Sequence, residues 1–312
     1  MFLDQLVRRI AQLILTVVAT STVIFVLIHA AGDPTQGFLQ PGASPTARAQ
    51  VRARLELDAP IWQQYLSFLG RTFRFDFGNS WRDRQPALDA VMQRLPSTLL
   101  LAAMATVLAV TIGTALALAV SSLRHPILRR LIDLGGLLAQ GIPAFWLGTI
   151  LIIVFAVRLQ WLPASGNDGM RSLALPAATL AAYPASIVYR LLATELALVE
   201  RRPYIVTARS KGLPERIVRF RHALPNAATP ALAYIGVQLG FLVGGTVVVE
   251  SIFAYPGVGR LALQAASERD LPVVHAFTVI VAILIVAIGV GIDVLAAALD
   301  PRASRTGEER FS

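Results

Sequence analysis

Residues 10–31 read IAQLILTVVATSTVIFVLIHAA, a run that contains no Asp, Glu, Lys or Arg. A helix that crosses a bilayer needs about 20 predominantly apolar residues, so this run is long enough for one span. It is also longer than the roughly 7–15 apolar residues of a secretory signal peptide, and it lacks a clear A-x-A cleavage site. We therefore expect it to be retained as a membrane-spanning helix.

Further apolar runs follow along the chain. They are residues 95–123, 131–157, 173–189, 227–249 and 273–299. The composition agrees, because 55% of the residues are hydrophobic and 15% are charged, whereas soluble domains are about 25% charged. The sequence predicts an all-α polytopic membrane protein with about six transmembrane helices.

The distribution of basic residues predicts the orientation. A six-span topology places four basic segments on one side of the membrane: Arg8 and Arg9; Arg124, Arg129 and Arg130; seven Arg or Lys residues between 201 and 221; and Arg302, Arg305 and Arg310. Because short basic loops stay in the cytoplasm, both termini are predicted to be cytoplasmic. The net charge of +9 then reflects cytoplasmic loops and contacts with anionic membrane lipid rather than nucleic acid.

The long segment 32–94 is the main extracytoplasmic feature of this topology. It holds two turn-rich stretches, a predicted helix over residues 46–57, and an aromatic series made of Trp62, Tyr65, Phe68, Phe73, Phe75, Phe77 and Trp81. A cap whose aromatic rings rest at the headgroup level and a docking surface for an external partner both explain this composition. We expect residues 1–94 to form the first span with this cap, and residues 95–312 to form a five-helix core.

No catalytic constellation stands out in the sequence. There is no cysteine, the four histidines are scattered, and no G-x-x-x-x-G-K-[ST] loop is present, so ATP binding of the P-loop kind is excluded. Three acids near span ends, Asp133, Glu250 and Asp293, are candidates for gating, or for ion pairs and interfacial anchors. Both interpretations stay open.

The most patterned segment is the basic loop 190–225. Pro203 is placed to open a short helix and Gly212 to close it in a left-handed conformation, so a helix over 204–211 is predicted. On it, Ile205 and Ala208 share one small apolar face with Gly212.

A second helix is predicted to start at Pro214-Glu215 and to end at Leu224-Pro225, with an apolar stripe of Ile217, Phe220 and Leu224. Such a rigid pair is a candidate docking element for a soluble partner. The alternative is a basic amphipathic pair on the lipid surface.

At this loop the chain resembles the permease subunits of binding-protein-dependent ABC importers. Their hallmark is an E-A-A-x-x-x-G motif followed by Leu-Pro, and here Val206-Thr207-Ala208 precedes Gly212 with Leu224-Pro225 at the expected spacing. The departures from Glu and Ala at 206 and 207 match the dipeptide, oligopeptide and nickel branch. Other stretches similar to that branch are 32–34, 77–80, 94–98, 249–259 and 299–302.

The resemblance implies a type I ABC importer permease fold, a location in a bacterial inner membrane, and an assembly whose subunits have separate roles. A second related permease, giving a heterodimer, would complete the pathway; two cytoplasmic ATPases would use ATP and Mg²⁺; and an external substrate-binding protein would deliver the solute. This chain would bind no cofactor itself. The residues expected to couple it to an ATPase are Tyr204, Thr207, Ala208, Arg209, Lys211, Gly212, Leu213, Glu215, Leu224 and Pro225.

Within this loop, Ala208 is expected to face the ATPase, so that Ala208→Glu would abolish transport while membrane insertion stayed normal.

Two other classes of protein remain as alternatives, a self-sufficient secondary transporter and an intramembrane enzyme. The first would show internal repeats and the second a paired acid and base, and the sequence offers neither clearly. The substrate is expected to be a peptide, a glutathione-like compound, a nickel chelate or an opine.

Overall fold

A computed structural model describes residues 2–30, 46, 59–123, 125–166 and 169–299, with side chains given for all of these except 2–6, 239, 241–243, 293 and 295–299. The helices of the described ranges are α1 (Phe2–Ala30), α2 (Ile61–Phe73), α3 (Ala87–Ser122), α4 (Pro126–Gly141), α5 (Ala144–Leu151), α6 (Met170–Val199), α7 (Pro203–Ser210), α8 (Glu215–Ile217), α9 (Thr229–Ile252), α10 (Val258–Ser267) and α11 (Leu271–Leu299). Two π-helical turns, Ile152–Arg158 and Val218–Ala223, continue α5 and α8, and a short helix, Leu224–Ala227, leads into α9.

The all-α membrane architecture is confirmed. Within the described ranges, four helices (α1, α3, α6 and α11) are long and apolar enough to cross a membrane, and the α4–α5 pair would make a fifth span. The predicted span 227–249 coincides with α9, which is outside that count and contains the undescribed side chains 239 and 241–243.

The third predicted span consists of two helices with a bend between them. Residues 131–157 fall on α4 and α5, which are bent by 111° at a short break. Ile142 is extended, and Pro143 precedes α5 with ψ 138°. Proline cannot donate the hydrogen bond that would continue α4, and it disfavours the α conformation of the residue before it. An apolar run shows length but not direction, so the size of the bend is known only from the structure.

The other prolines act differently. Pro176 and Pro184 lie inside α6, which stays helical for 30 residues and extends ten residues beyond the predicted span 173–189. Pro230 occupies the first turn of α9, where a missing N–H costs nothing. Most of α6 is buried, so its neighbours can compensate for the carbonyls that the prolines leave free.

The contacts divide the chain into two compact units. The first comprises residues 1–97 and 256–290. Its apolar core joins Val17 of α1, Val91 of α3, Val258 of α10 and Val279 of α11. The imidazole of His275 is buried, lies 3.0 Å from the Ser21 hydroxyl, and stacks on the ring of Phe68. In this unit, several of the aromatic residues predicted to form a cap therefore pack against the span helices.

The second unit comprises residues 98–255 and 291–312, with α6 at its centre. Small residues let the neighbouring helices approach it. A Cβ built on Gly113 of α3 would lie 2.7 Å from the carbonyl oxygen of Ala185 and 2.8 Å from Cβ of Val188. Close approach at glycine is the usual way in which membrane helices pack.

Several predicted features lie outside the described residues. They are the motif 32–34, most of the predicted helix 46–57, residue Arg124, the tail with Arg302, Arg305 and Arg310, and the side chain of Asp293.

Candidate functional site

The linker between α6 and α9, residues 200–228, contains the predicted docking helix. α7 begins at Pro203 after an extended Arg202 and ends at Ser210. Gly212 has φ +74°, and the N–H groups of Gly212 and Leu213 donate to the carbonyls of Arg209 and Ala208 at 2.9 and 3.3 Å. This pair of bonds is a Schellman cap, which needs a left-handed residue at this position. The predicted short helix and its glycine stop are confirmed.

The buried face of α7 belongs to the chain's own core. Ile205 is 0% exposed and Ala208 is 8% exposed. Both pack in an apolar cluster with Leu196 of α6, Val218 and Ala223. The expectation that Ala208 faces a partner is therefore wrong: a small residue at this position allows α7 to lie close to its own subunit.

The opposite face of the linker is exposed and partly apolar. Tyr204 and Thr207 on α7 are exposed, as is Lys211 after it. Val206 is 54% exposed. Apolar side chains exposed over the whole linker are Tyr204, Val206, Leu213, Ile217 and Phe220. We call these five residues the linker patch. An apolar patch rimmed by charges is typical of an interaction surface.

A π-helical turn, Val218–Ala223, changes which residues share a face in the second predicted helix. Ile217 and Phe220 of the predicted apolar stripe are exposed, and Leu224 is half-buried. The buried residues are instead Val218 and Ala223, five positions apart. Hydrogen bonds from i to i+5 widen the turn, so residues five apart share a face. A 3.6-residue period could not find them.

The predicted end of this helix at Leu224-Pro225 also differs from the structure. The chain stays helical, because Pro225 falls in the first turn of Leu224–Ala227. Proline is tolerated there, since first-turn N–H groups have no intrahelical partner. The linker thus joins α9 through successive short helical turns with a bend at Ala228, rather than through a long irregular loop.

An ion-pair network fastens the two parts of the linker together. The Arg209 guanidinium donates two hydrogen bonds to the Glu215 carboxylate, at 2.8 and 3.1 Å. Arg219 lies 3.8 Å from the same carboxylate and also donates to the Ser122 hydroxyl of α3. The hydrogen bond from Arg209 lowers the pKa of Glu215, and the same bond raises the pKa of Arg209. Because the pair is exposed, it stabilises the linker by less than about 1 kcal/mol, but it holds α7 against α8.

The candidate acids have different surroundings. Asp133 of α4 accepts a hydrogen bond from the Tyr189 hydroxyl of α6. Glu250 is fully buried and accepts a hydrogen bond of 2.7 Å from the Thr98 hydroxyl. That hydrogen bond connects residues 94–98 with residues 249–259, two of the stretches whose sequences resemble the dipeptide, oligopeptide and nickel branch. A role in gating remains a prediction for all three acids, including Asp293.

Comparison with known proteins identifies the family. Residues 109–305 match the family "binding-protein-dependent transport system inner membrane component", and residues 2–102 match the N-terminal family of the same system. A putative peptide transport system permease protein of Brucella abortus is 36% identical over 306 residues, which cover 95% of this chain and 98% of the relative. The glutathione transport system permease protein GsiC of Escherichia coli strain K12 is 35% identical over 300 residues, covering 96% and 98%.

Solved structures agree at the level of the fold. The methionine ABC transporter MetNI in inward-facing conformations aligns with a TM-score of 0.57 at 18% identity, covering 67% of this chain and 96% of that one. An amino acid ABC transporter aligns with a TM-score of 0.51 at 17% identity, covering 66% and 92%. From these family matches and this fold, the chain belongs to the binding-protein-dependent transport system inner-membrane components, the permease subunits of ABC importers.

Proposed function

We propose that the linker patch is the surface through which this permease receives the movement of a cytoplasmic ATPase. The observation that carries the proposal is the division of α7 into two faces. Ile205 and Ala208 fasten the helix to its own subunit, while Val206 and its neighbours are exposed on the other side. A push on the exposed face would pass through the buried face into α6, which leads into the membrane.

Stiffness supports the same proposal, because a slack loop would dissipate a displacement. The Schellman cap at Gly212, the Arg209–Glu215 pair and the helical path into α9 all restrain the linker.

The proposed assembly has two permease subunits, this chain and a related one; two ATPases, which hold the ATP and Mg²⁺; and an extracytoplasmic binding protein. Residues 1–94 would form the first span and cap, and residues 95–312 the core of the pathway.

The proposed substrate is a peptide or a small peptide-like solute. The relatives named for peptide transport and for glutathione transport support this class, because both names describe solutes with amide bonds and carboxylates. Identifying the ligand of the binding protein encoded with this chain would test it.

The test of coupling is Val206→Glu in the assembled transporter. The new carboxylate would be solvated in the free subunit, so the permease should keep its thermal stability. In a packed interface, an unpaired charge costs several kcal/mol, so we expect ATPase subunits to be lost on purification and uptake to be abolished. Arg305→Glu in the tail is the control, with uptake close to wild type. Normal uptake and assembly in Val206→Glu would place the coupling surface elsewhere.

The proposed topology puts both termini in the cytoplasm and residues 32–94 outside. Since the chain has no cysteine, single cysteines at Ser44 and Ser304 can be labelled without background. We expect a membrane-impermeant maleimide added to intact spheroplasts to label position 44 and to spare position 304 until the cells are lysed. Labelling of both positions from outside would rule out this topology.

We further propose that the permease hydrolyses no ATP by itself, since its sequence has no phosphate-cradling loop. A preparation freed of co-purifying ATPases should release no phosphate from ATP, and adding the ATPase subunits back should restore hydrolysis. ATPase activity that co-purifies with the permease after all ATPase subunits have been removed would contradict this proposal.

A further inference from the structure

The helix α4 is bent sharply away from α5. It meets α5 at 111°, so the two helices cannot both lie near the membrane normal. Transmembrane helices usually tilt by about 20° from the normal and rarely exceed 40°. If α5 crosses the membrane, α4 therefore lies closer to the membrane plane than to the normal.

Contacts with α6 give the level at which α4 lies. Residues 172–189 of α6 carry no charge, and 18 helical residues span about 27 Å, close to the hydrocarbon thickness. Arg190 follows directly and marks the edge of the membrane. Asp133 of α4 bonds to Tyr189, and Gln140 accepts from Arg190 Nη1 at 3.1 Å. Positions about 10 Å apart along α4 thus meet adjacent residues of α6, so α4 crosses α6 at this edge.

The polarity of α4 is reversed relative to a soluble amphipathic helix. The side that faces α6 holds the polar residues Asp133 and Gln140 and also Gly136, where an added Cβ would lie 3.3 Å from the Tyr189 ring. Six large aliphatic side chains of α4 are exposed: Ile127, Leu128, Leu131, Leu134, Leu137 and Leu138. Four of them, Ile127, Leu131, Leu134 and Leu138, are spaced by three or four residues and therefore share the side of the helix that is turned away from Asp133 and Gln140. None of the residues of α4 is buried.

Basic residues lie at and near the N-terminal end of α4. His125 precedes α4, and Arg129 and Arg130 occupy its first half; all three are exposed. The single acid of α4, Asp133, is turned inward to Tyr189. A helix with an aliphatic face and adjacent Arg residues is typical of segments lying in the headgroup region of an anionic leaflet.

We propose that α4 is an interfacial helix, lying in the cytoplasmic leaflet with its aliphatic face against lipid tails and Arg129 and Arg130 on anionic headgroups. The assignment of α4 to the cytoplasmic leaflet depends on the proposed topology, whereas its position at the membrane interface does not. α4 therefore anchors α6, the helix leading to the linker patch, at the level of Tyr189 and Arg190.

The experiment measures the depth of single spin labels in the assembled transporter. Because the chain has no cysteine, nitroxides can be placed one at a time at Ile127, Leu131, Leu134 and Leu138, in nanodiscs of phosphatidylcholine with or without phosphatidylglycerol. Accessibility to oxygen and to a nickel chelate then reports depth. We expect one shared depth, about 5–10 Å below the headgroups. Exposed positions of α5 and its π turn, Phe145, Ile153 and Val157, are the matched control and should show a depth gradient.

Two outcomes would overturn the proposal. A gradient of about 1.5 Å per residue from Ile127 to Leu138 would make α4 part of a span. Protection of all four labels from both reagents would mean that the second permease covers this face. A shared shallow depth in the leaflet opposite to the Ser304 side would leave α4 interfacial and would overturn the proposed topology instead.

The anionic preference has its own measurement. A fluorophore at Ile127 should be quenched more strongly by spin-labelled phosphatidylglycerol than by spin-labelled phosphatidylcholine. Arg129→Gln with Arg130→Gln should remove that difference, while the depth of the label at Leu134 stays the same. Equal quenching by both lipids in the unmodified chain would refute the headgroup contact.

Discussion

Replacing Ala208 by Glu is expected to destabilise the permease itself rather than to uncouple it. The Ala208 side chain packs with Ile205, Val218 and Leu196 inside the subunit and is only 8% exposed, so a carboxylate at this position would be largely shielded from water. An unpaired charge forced into such a cluster costs about 3 kcal/mol or more. We expect a lower melting temperature in detergent, less protein in the membrane, and proteolytic cleavage within residues 200–228.

The contrast with Val206→Glu makes this expectation sharp. Both variants place the same carboxylate on α7, two residues apart, but Val206 is exposed and Ala208 is not. Loss of stability should therefore accompany Ala208→Glu, and loss of ATPase binding without loss of stability should accompany Val206→Glu. If Ala208→Glu has the melting temperature of the wild type and only fails to bind ATPases, then the side of α7 that carries Ala208, and not the side that carries Val206, contacts the partner.

Gly113→Leu is expected to have a similarly large effect, through packing rather than charge. Even a Cβ at this position would lie 2.7 Å from the Ala185 carbonyl oxygen and 2.8 Å from Val188, so α3 and α6 would have to separate. Overpacking of this kind typically costs about 1–3 kcal/mol, and backbone on the opposing side cannot move aside as a side chain can. Thermal unfolding of the purified permease should show the loss.

Gly135→Leu is the matched control for this variant. Gly135 also lies in a helix, but a Cβ built on it meets no described atom within 4 Å. The two substitutions add the same side chain and differ only in the space available. A melting temperature for Gly113→Leu equal to that of Gly135→Leu would contradict the close packing of α3 on α6.

The sequence alone determined the membrane class, most of the spans and the short helix before Gly212. These features depend on local properties of the chain. An uncharged run such as 10–31 must avoid water wherever it is placed, and the proline start and glycine stop of α7 act within one helical turn. The family could be inferred for the same reason, because its motifs are short and keep their order along the chain.

Tertiary structure decided which side of each element is buried. Ala208 looks equally suited to a partner or to its own core, and only the packing of α7 on Leu196 and Val218 distinguishes them. The π turn at Val218–Ala223 changes the period of its helix. The bend before α5 divides one apolar run into two helices that point in different directions. Thr98 and Glu250 are 152 residues apart, yet they share a hydrogen bond. Such contacts depend on long-range packing. Residue composition and spacing do not show them, because they contain no information about how the helices are oriented relative to one another.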